Sequence, residues 1–299
     1  MTRSTFHGTL CCALLGVAAT STLRAQGVDW PAVDAAVGRA SVTQPGDVHR
    51  FNFSRTDLTV ITAGVTIRPT LALGGWIAIQ AAAGGVMAMG DLVVTEDEFA
   101  PAMIALQRGG IEQSAIHRHL LHEWPRILYI HVHAHGDPVA IATVIHAAIA
   151  VMKIPAVRSS PALATPLDLD TAAVARALGY SGRATGGVYQ VGVPRSERIL
   201  EGTVELPPSM GLNTVIDFQP TSGGRASITG DFVLLPSEVN PVIRSLQSGG
   251  LEVTALHSHI LDEMPRLMFM HFWANADAVQ LANTLRATLA LTKLRLPAP

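Results

Sequence analysis

Cysteine, charge and aromatic residues are all scarce in this chain of 299 residues. The only two cysteines, Cys11 and Cys12, lie near the amino terminus, so the rest of the chain has neither disulfides nor thiol chemistry. Charged residues make up 15% of the chain, against about 25% in an average soluble protein, and the formal net charge is −2. This balance excludes the basic surface typical of nucleic-acid-binding proteins. Hydrophobic residues make up 48%, which is enough for a packed core and excludes a disordered chain.

The amino terminus has the pattern of a secretory signal peptide. Arg3 supplies a positive charge, the apolar run TLCCALLGVAAT follows, and a candidate cleavage site lies after Ala25. The run is 12 residues long, whereas a transmembrane helix needs about 20. Residues 1–25 are therefore predicted to be a signal peptide, and the protein is expected to be exported to the periplasm or secreted. Because Leu10 rather than a small residue precedes Cys11, no lipid anchor is expected.

The remainder of the chain is a tandem duplication. At an offset of 140 residues, 90–140 aligns without a gap with 230–280, and 21 of the 51 aligned positions are identical. A period of this length indicates two copies of one domain rather than a solenoid. The predicted organisation is repeat 1 at 28–153, a linker with three prolines at 154–167, and repeat 2 at 168–299. Each long apolar stretch has charged or polar residues in its counterpart, so no transmembrane helix is expected in the mature chain.

The spacing of apolar residues predicts an α+β fold. In repeat 1 it predicts helices at 30–39, 96–108 and 137–152, and strands at 48–53, 58–61, 65–68, 71–80, 86–94, 111–120 and 126–135. Thr95 with Glu98 forms a capping-box pattern, and Asp137 is a predicted N-cap. We therefore expect two homologous repeats, each an antiparallel or mixed sheet with covering helices, ending in a β-α-β-β-α unit. Asp91 and Asp231, each after a glycine in an apolar strand, are either structural hydrogen-bond hubs or site carboxylates, and the hub role is the favoured expectation.

Histidines are concentrated in two short windows, one in each repeat. The candidate metal ligands are His117, His119, His131 and His133 in repeat 1 and His257, His259 and His271 in repeat 2. A hairpin centred on Pro125 would place His117 opposite His133 and His119 opposite His131, about 5 Å apart at Cβ. Imidazoles at that separation can converge on one metal ion. Each repeat is thus expected to gather its own histidines around one point.

A glutamate follows each histidine pair at the same spacing. Glu123 in repeat 1 and Glu263 in repeat 2 are the candidate catalytic acid/base groups or further ligands. The pattern His-x-His-x3-Glu has the ligand types of metal sites in cupin-like enzymes, a chemical analogy only, because no second cupin motif is apparent. Three histidines and a carboxylate suit Zn, Fe, Mn, Ni or Cu, so the expected cofactor is a divalent transition metal of undetermined identity.

A purely structural role for the histidines remains open. Histidines on paired strands can bond one another and the backbone in a half-buried core, and an inherited core would be duplicated equally well. Two functions therefore remain: an exported metal-binding protein, which includes the case of a metal-dependent enzyme acting on a small molecule, and a non-catalytic binding or interaction module of the cell envelope. No P-loop, dinucleotide fingerprint or serine-hydrolase elbow is present, which disfavours those three chemistries.

Three segments carry a family resemblance. TALHSHILDEMPRLMFMHFWANAD (254–277), its counterpart IHRHLLHEWPRILYIHVHAHGD (116–137) and GDFVLLPSEVNPVI (230–243) resemble the LppY/LpqO family of exported bacterial proteins. The likeness covers nearly the whole mature chain. It implies a duplicated domain and an envelope or secreted location, and it brings no established activity. Independently of the resemblance, the expected partner is an unidentified small molecule or envelope component.

We predict that the exported protein begins at Gln26. When the full chain is produced in a Gram-negative host, amino-terminal sequencing of the periplasmic or secreted fraction should read Gln26 first, because cleavage after Ala25 removes the signal. An Ala25→Glu variant should remain uncleaved and serves as the control. Recovery of chains that keep Met1, or of a lipid mass on Cys11, would contradict the prediction.

Overall fold

The computed structural model describes residues 27–155 and 167–295. The predicted signal peptide and most of the predicted linker lie outside the described residues. Within them, no helix is both long enough and apolar enough to cross a membrane.

The first repeat begins with a helix and alternates strands with helices to its end. Its elements are α1 (Trp30–Val37), β1 (Val42–Gln44), β2 (Val48–Ser54), β3 (Val60–Thr62), β4 (Val65–Ile67), α2 (Pro69–Ala72), β5 (Gly74–Ala82), β6 (Gly85–Thr95), α3 (Glu96–Arg108), β7 (Glu112–His117), β8 (Glu123–Trp124), β9 (Ile127–Gly136) and α4 (Pro138–Ala150). The predicted strand at 71–80 is corrected at its start, where 69–72 form the short helix α2.

The second repeat has the same order of elements, with a short 3-10 helix, Pro208–Met210, at the position of α2. Its elements are α5 (Thr171–Leu178), β10 (Arg183–Thr185), β11 (Val188–Pro194), β12 (Ile199–Glu201), β13 (Val204–Leu206), β14 (Asn213–Ser222), β15 (Arg225–Leu234), α6 (Pro236–Ser248), β16 (Glu252–His257), β17 (Glu263–Met264), β18 (Met268–Asp277) and α7 (Ala278–Leu289).

Each repeat forms one six-stranded sheet in which all neighbouring strands are antiparallel. The strand orders are β1-β2-β5-β6-β9-β7 and β10-β11-β14-β15-β18-β16. A smaller three-stranded sheet accompanies each of them, β4-β3-β8 in the first repeat and β13-β12-β17 in the second. The predicted α+β fold of two homologous repeats is confirmed, and the sheets are antiparallel rather than mixed.

Helices cover only one face of each large sheet. In the first repeat, Ile77, Leu92 and Ile130 point to that face and pack with Leu106 of α3 and Ile145 of α4. Since side chains alternate along a strand, the intervening residues point to the opposite face. Glu98 accepts a bond from the Thr95 N–H at 3.0 Å, and Asp137 accepts one from the Ala140 N–H at 2.7 Å, as the predicted capping pattern requires.

The helix-free faces of the two sheets pack against each other. One hydrophobic cluster joins Ala78, Met87 and Met89 of the first repeat to Met210, Leu212 and Phe269 of the second. Another joins Leu73, Val93 and Tyr129 of the first repeat to Val188 and Trp273 of the second. The two repeats therefore share a buried interface, and any residue that alternates away from the helices faces the other repeat.

A buried arginine fastens the edge of each large sheet to its first long helix. The Arg55 guanidinium donates two bonds to Glu98, at 2.6 and 3.1 Å, two to Asp57, and one to the Val93 carbonyl at 2.9 Å. Arg195 makes the equivalent contacts with Glu238, Glu197 and Val233. Only 1% of Arg55 is exposed, so the pair is a true buried ion pair.

We predict that Arg55→Met lowers the free energy of unfolding by about 3–5 kcal/mol, because it leaves the Glu98 carboxylate buried without its partner. Urea denaturation measures the change. The control is Arg198→Met, which removes an ion pair whose side chains are 73% and 52% exposed, so it should lower the free energy of unfolding far less than Arg55→Met does. Equal losses in the two variants would contradict the prediction.

The Arg55 pair also predicts a pH dependence. Burial opposes ionisation, but the bonds from Arg55 outweigh it and hold the pKa of Glu98 below its usual 4.5. A lowered folded-state pKa contributes stability above the unfolded value and loses it as the pH falls through the folded value. The stability advantage of the wild type over Glu98→Gln should therefore be full at pH 7 and shrink below about pH 4.5. A constant difference down to pH 3 would be inconsistent with this ion pair.

Candidate metal centre between the two repeats

The six histidines common to both repeats meet between the repeats. Three pairs of rings stack across the interface, with ring centroids 3.7 to 3.8 Å apart: His117 on His257, His119 on His271, and His131 on His259. The expectation that each repeat gathers its own histidines is therefore corrected. The reason is that His131 and His271 lie on the helix-free sheet faces, and those two faces pack together. We call these six residues the axial histidine cluster.

The predicted hairpin register is wrong. Strand β7 pairs with β9 so that His117 lies opposite Tyr129 and His133 lies opposite Glu112. Strand β7 also ends at His117, so His119 lies in the following loop rather than opposite His131. The physical cause is the excursion of 118–126, whose strand β8 pairs with β3 instead of extending the hairpin.

A β-bulge in each repeat holds the histidine loop of the other. The pairing of β7 with β9 is interrupted at Ser114, and that of β16 with β18 is interrupted at Thr254. The Thr254 hydroxyl donates to the His119 carbonyl at 2.6 Å, and the Ser114 hydroxyl donates to the His259 carbonyl. Bulges commonly redirect side chains near functional sites. These reciprocal bonds fix both loops at the interface.

Aromatic side chains support the two loop histidines. The His119 ring stacks on Tyr129 with centroids 3.4 Å apart, and His259 stacks on Phe269 at the same distance. The Tyr129 hydroxyl donates to the Ala72 carbonyl, which anchors this support to the first repeat. One face of the His119 ring and one face of the His259 ring are therefore covered by an aromatic side chain of the same repeat, which fixes the plane of each imidazole.

Most ring nitrogens of the cluster are buried without a hydrogen-bond partner. Within 27–155 and 167–295, both nitrogens of His117, His131 and His259 and one nitrogen each of His119, His257 and His271 have no such partner. One satisfied nitrogen is Nδ1 of His271, 2.8 Å from the Gly230 carbonyl. A buried polar group without a partner costs about 1–3 kcal/mol, so this concentration of free nitrogens requires an explanation.

Two aspartates lie beside the cluster. Asp91 Oδ2 is 3.4 Å from His119 Nε2 and 3.7 Å from His131 Nε2, and Asp231 Oδ2 is 3.3 Å from His259 Nε2. Burial, and then the negative charge of Asp231, raise the pKa of Asp91 well above its usual value. One oxygen of each carboxylate has no partner within the described ranges. Their contact with the histidines corresponds to the second expected role, that of site carboxylates, rather than to the favoured role of structural hubs.

The glycine before each aspartate lets the strands approach closely. A Cβ on Gly90 would lie 2.2 Å from the Trp76 carbonyl oxygen, and one on Gly230 would lie 2.0 Å from the Val215 carbonyl oxygen. Real Cβ atoms do not tolerate such distances, so the Gly-Asp dipeptide brings its carboxylate to the centre of a tightly packed sheet.

The environment keeps the cluster neutral. Burial, followed by the other histidines, lowers the pKa values of His117 and His119 far below the usual range. Burial also lowers the pKa of His271, to about 4. Neutral imidazoles have a free nitrogen lone pair, which is the form that binds metal ions.

Several sets of these side chains could hold a metal ion. In each set the ligand atoms lie within 4.8 Å of one another: His117 with His131 and His257; His117 with His119 and His271; Asp231 with His257 and His259; His133 with His135 and Glu201.

The second of these sets has a near-symmetric counterpart across the interface. The ring centroids lie 5.0 Å apart for His117 and His119, 3.8 Å for His119 and His271, and 5.2 Å for His117 and His271. In the equivalent set the centroids lie 5.2 Å apart for His257 and His259, 3.8 Å for His259 and His131, and 5.2 Å for His257 and His131. The cluster therefore contains two histidine triads of similar ring spacing, each with two histidines from one repeat and one from the other. Of these two, His117, His119 and His271 form the set whose ligand atoms lie within 4.8 Å of one another in the described residues.

His133, a predicted ligand, lies apart from the axial cluster. Its Nε2 is 3.0 Å from Glu201, and the same carboxylate is 3.4 Å from Nε2 of His135. Glu201 was not among the predicted site residues. Its counterpart in repeat 1 is Ile61, so comparison of the two repeats does not mark this position as functional. Position 273 is Trp where repeat 1 has His133, so this group occurs on one side of the interface only.

Glu123 and Glu263 lie in the loops that carry the histidines. Glu123 accepts from the Ile127 N–H at 3.2 Å, and Glu263 accepts from the Leu267 N–H at 2.8 Å and from Arg266 at 3.3 Å. Burial raises the pKa of Glu123 to about 7. Both carboxylates brace the turn before the inner strand, and neither belongs to the four ligand sets.

The axial cluster opens into a cleft of about 840 Å³ between the repeats. Four of its histidines line the cleft, together with both axial aspartates: His119, His131, His259, His271, Asp91 and Asp231. Clefts of about 300–1,000 Å³ accommodate small organic ligands, so the cluster is accessible to a small molecule.

Comparison with known proteins gives a family. Residues 31–151 and again 172–291 match the family described as Domain of Unknown Function (DUF1259). No curated protein matches the chain. Similar solved structures include the trimeric bacterial microcompartment shell protein PduB, at 12% identity over 83% of this chain and 90% of that chain, with a TM-score of 0.20. EtuB from Clostridium kluyveri is 10% identical over 84% of this chain and 90% of that chain, with a TM-score of 0.19. Likeness at these scores carries no inference about function. The chain belongs to the DUF1259 family and contains two tandem copies of its domain.

Proposed function

We propose that the protein binds a divalent transition-metal ion at the axial histidine cluster and presents it to a small molecule in the cleft. The observation that carries this proposal is the set of buried ring nitrogens that have no hydrogen-bond partner among the described residues. A structural core would satisfy its polar groups, because each one left unpaired is costly. A metal ion provides the missing partner for several nitrogens at once.

The chemistry of the donors favours a borderline transition metal. Imidazole nitrogen suits Zn, Cu, Ni and Fe, whereas Mg and Ca prefer oxygen ligands. Each set of the axial cluster whose donor atoms lie within 4.8 Å of one another supplies three ligands and would leave a coordination position free. A bound ion with such a position polarises a carbonyl or phosphoryl oxygen, or activates water. Asp91 lies where it would orient the rings of His119 and His131, as carboxylates behind metal-bound histidines commonly do.

The predicted acid/base role of Glu123 and Glu263 stays part of this proposal. A pKa of about 7 for Glu123 suits general acid/base work near neutrality. Its bond to the Ile127 N–H directs one oxygen into the loop, so any proton transfer would use Oε2, which has no partner within the described residues.

We also propose that this DUF1259 protein is one of the exported proteins of the LppY/LpqO type. The signal-peptide pattern of 1–25 and the motif at 254–277 support this placement. Such a location exposes the metal centre to ions and small molecules of the periplasm or the extracellular medium.

Elemental analysis tests the metal centre. Protein purified without a histidine tag should retain, or after chelation should take up, at least one Zn, Cu, Ni, Fe or Mn ion per chain. At a free metal concentration of 100 times the dissociation constant, the ion should stabilise the fold by about 2.7 kcal/mol. The double variant His117→Ala/His119→Ala should retain less metal and lose part of the stabilisation, because it removes ligands from both sets that share His117 and leaves only the set of Asp231, His257 and His259 in the axial cluster.

Matched variants separate metal binding from folding. His119→Phe preserves a ring that can stack on Tyr129 while removing the nitrogens, so it should fold and bind less metal. His122→Ala/His146→Ala removes two histidines outside the cluster and should bind as the wild type does. Failure of all five metals to bind or to shift the unfolding temperature would overturn the proposal and favour a non-catalytic module with structural histidines. Full metal retention in the His117→Ala/His119→Ala variant would place the metal elsewhere.

A further inference from the structure

We propose that Arg50 and Arg183 form a binding site for the anionic group, a phosphate or carboxylate, of a small ligand in the cleft between the repeats. Arg50 belongs to β2 of the first repeat and Arg183 to β10 of the second, and both side chains line the cleft that reaches the axial histidines. The anion site stands on its own observations; only its position beside a metal ion rests on the proposed function.

Neither arginine has a carboxylate partner. The arginine ion pairs in 27–155 and 167–295 involve Arg55, Arg118, Arg126, Arg195, Arg198 and Arg266. Arg50 instead donates from Nε to the Asn52 side chain at 3.3 Å, which leaves the two Nη groups free. Arginine presents a planar fork of donors that matches the two oxygens of a carboxylate or phosphate.

The free guanidinium of Arg50 is held in position. Its Cζ lies 4.1 Å from the centroid of the Trp76 ring, and the ring is in turn covered by Gly211 of the second repeat. A Cβ at Gly211 would lie 2.4 Å from the Trp76 ring, so the packing there is close. A stacked guanidinium loses little freedom when it binds an anion, because its orientation is already fixed.

Both arginines belong to the lining of one cleft. Burial, and then the positive charge of Arg183, lower the pKa of Arg50 to about 10, while the charge of Asp91 raises it, so Arg50 remains protonated at neutral pH. An anion bound between the two guanidinium groups would be attracted by both charges.

Three aspartates, Asp91, Asp217 and Asp231, line the same cleft. Within the described residues none of them forms an ion pair with Arg50 or Arg183; Asp91 and Asp231 lie instead against His119, His131 and His259.

The sheet register sets the distance from the anion site to the histidines. Asn52, Trp76, Asp91 and His131 are paired in one row across β2, β5, β6 and β9, and Arg50 precedes Asn52 by two residues on the same face. Two strand spacings, about 10 Å, separate β2 from β6. A ligand of that length reaches from the guanidinium of Arg50 to Asp91 and the adjacent histidines.

The duplication placed this site on one side only. In the strand registers Val42 pairs with Arg50 and Arg183 pairs with Gln190, so Gln190 occupies the position of Arg50 and Val42 that of Arg183. The sequence therefore supplies no second arginine pair at these positions. One cleft therefore combines residues of both repeats around one anionic group, and the orientation of the ligand toward the histidines is fixed.

Titration calorimetry with metal-free protein tests the inference. Inorganic phosphate and succinate are the probes, at low ionic strength, where charge interactions are least screened. At least one probe should bind the wild type, and Arg50→Gln/Arg183→Gln should weaken its affinity by about tenfold or more. Arg50→Lys, which keeps the charge and loses the fork, should give an intermediate loss. If phosphate binds more tightly than succinate, the natural ligand carries a phosphate; if succinate binds more tightly, the ligand carries a carboxylate. Either result supports the anion site.

The matched control is Arg39→Gln. Arg39 also stacks on an aromatic ring, with Cζ 4.4 Å from the centroid of Phe53, but on the helix-covered side of the same sheet. This variant should bind both probes as the wild type does. Absence of binding at millimolar probe, or equal affinity in the double variant, would overturn the inference, while intact metal uptake would show that the proposed function survives. Anion binding without metal uptake would show that the anion site exists and that the proposed metal-binding function fails.

Discussion

Packing of the two helix-free sheet faces against each other is the constraint on which the rest of this protein depends. Each sheet buries one face under helices, and its other face carries His131 or His271 and Asp91 or Asp231 among apolar neighbours. Because polar groups of this kind need partners, neither face is complete alone. Joining the faces supplies each repeat with the histidines of the other and creates one polar centre inside an otherwise apolar interface.

The bulges at Ser114 and Thr254 make this arrangement specific. A bulge leaves one residue of the strand outside the regular pairing, and here that residue crosses the interface to hold the opposite histidine loop. The same exchange occurs in both directions, so the two loops are fixed by one symmetric contact. Stacking of His119 on Tyr129 and of His259 on Phe269 then fixes the rings themselves. The donor atoms are thus positioned by the framework before any ligand is bound.

Divergence of the two copies explains the features that break the symmetry. Glu201 with His133 and His135, and Arg50 with Arg183, have no counterparts at the 140-residue offset. The three histidine pairs that the repeats share form the centre. Arg50 and Arg183 line the cleft, whereas His133, His135 and Glu201 form a separate group.

The sequence by itself determined the duplication, the α+β class, the main helices with their caps at Thr95 and Asp137, and the residue types of the centre, since these depend on periodicity and local chemistry. It also identified the histidines that repeat. Only the tertiary structure decided that the imidazoles meet between the repeats, that His133 lies apart with Glu201, and that Arg50 and Arg183 line one cleft. The pairing of strands after a bulge and the packing of one sheet on another are long-range contacts, and neither hydrophobic periodicity nor spacing along the chain encodes which of two exposed faces will find a partner.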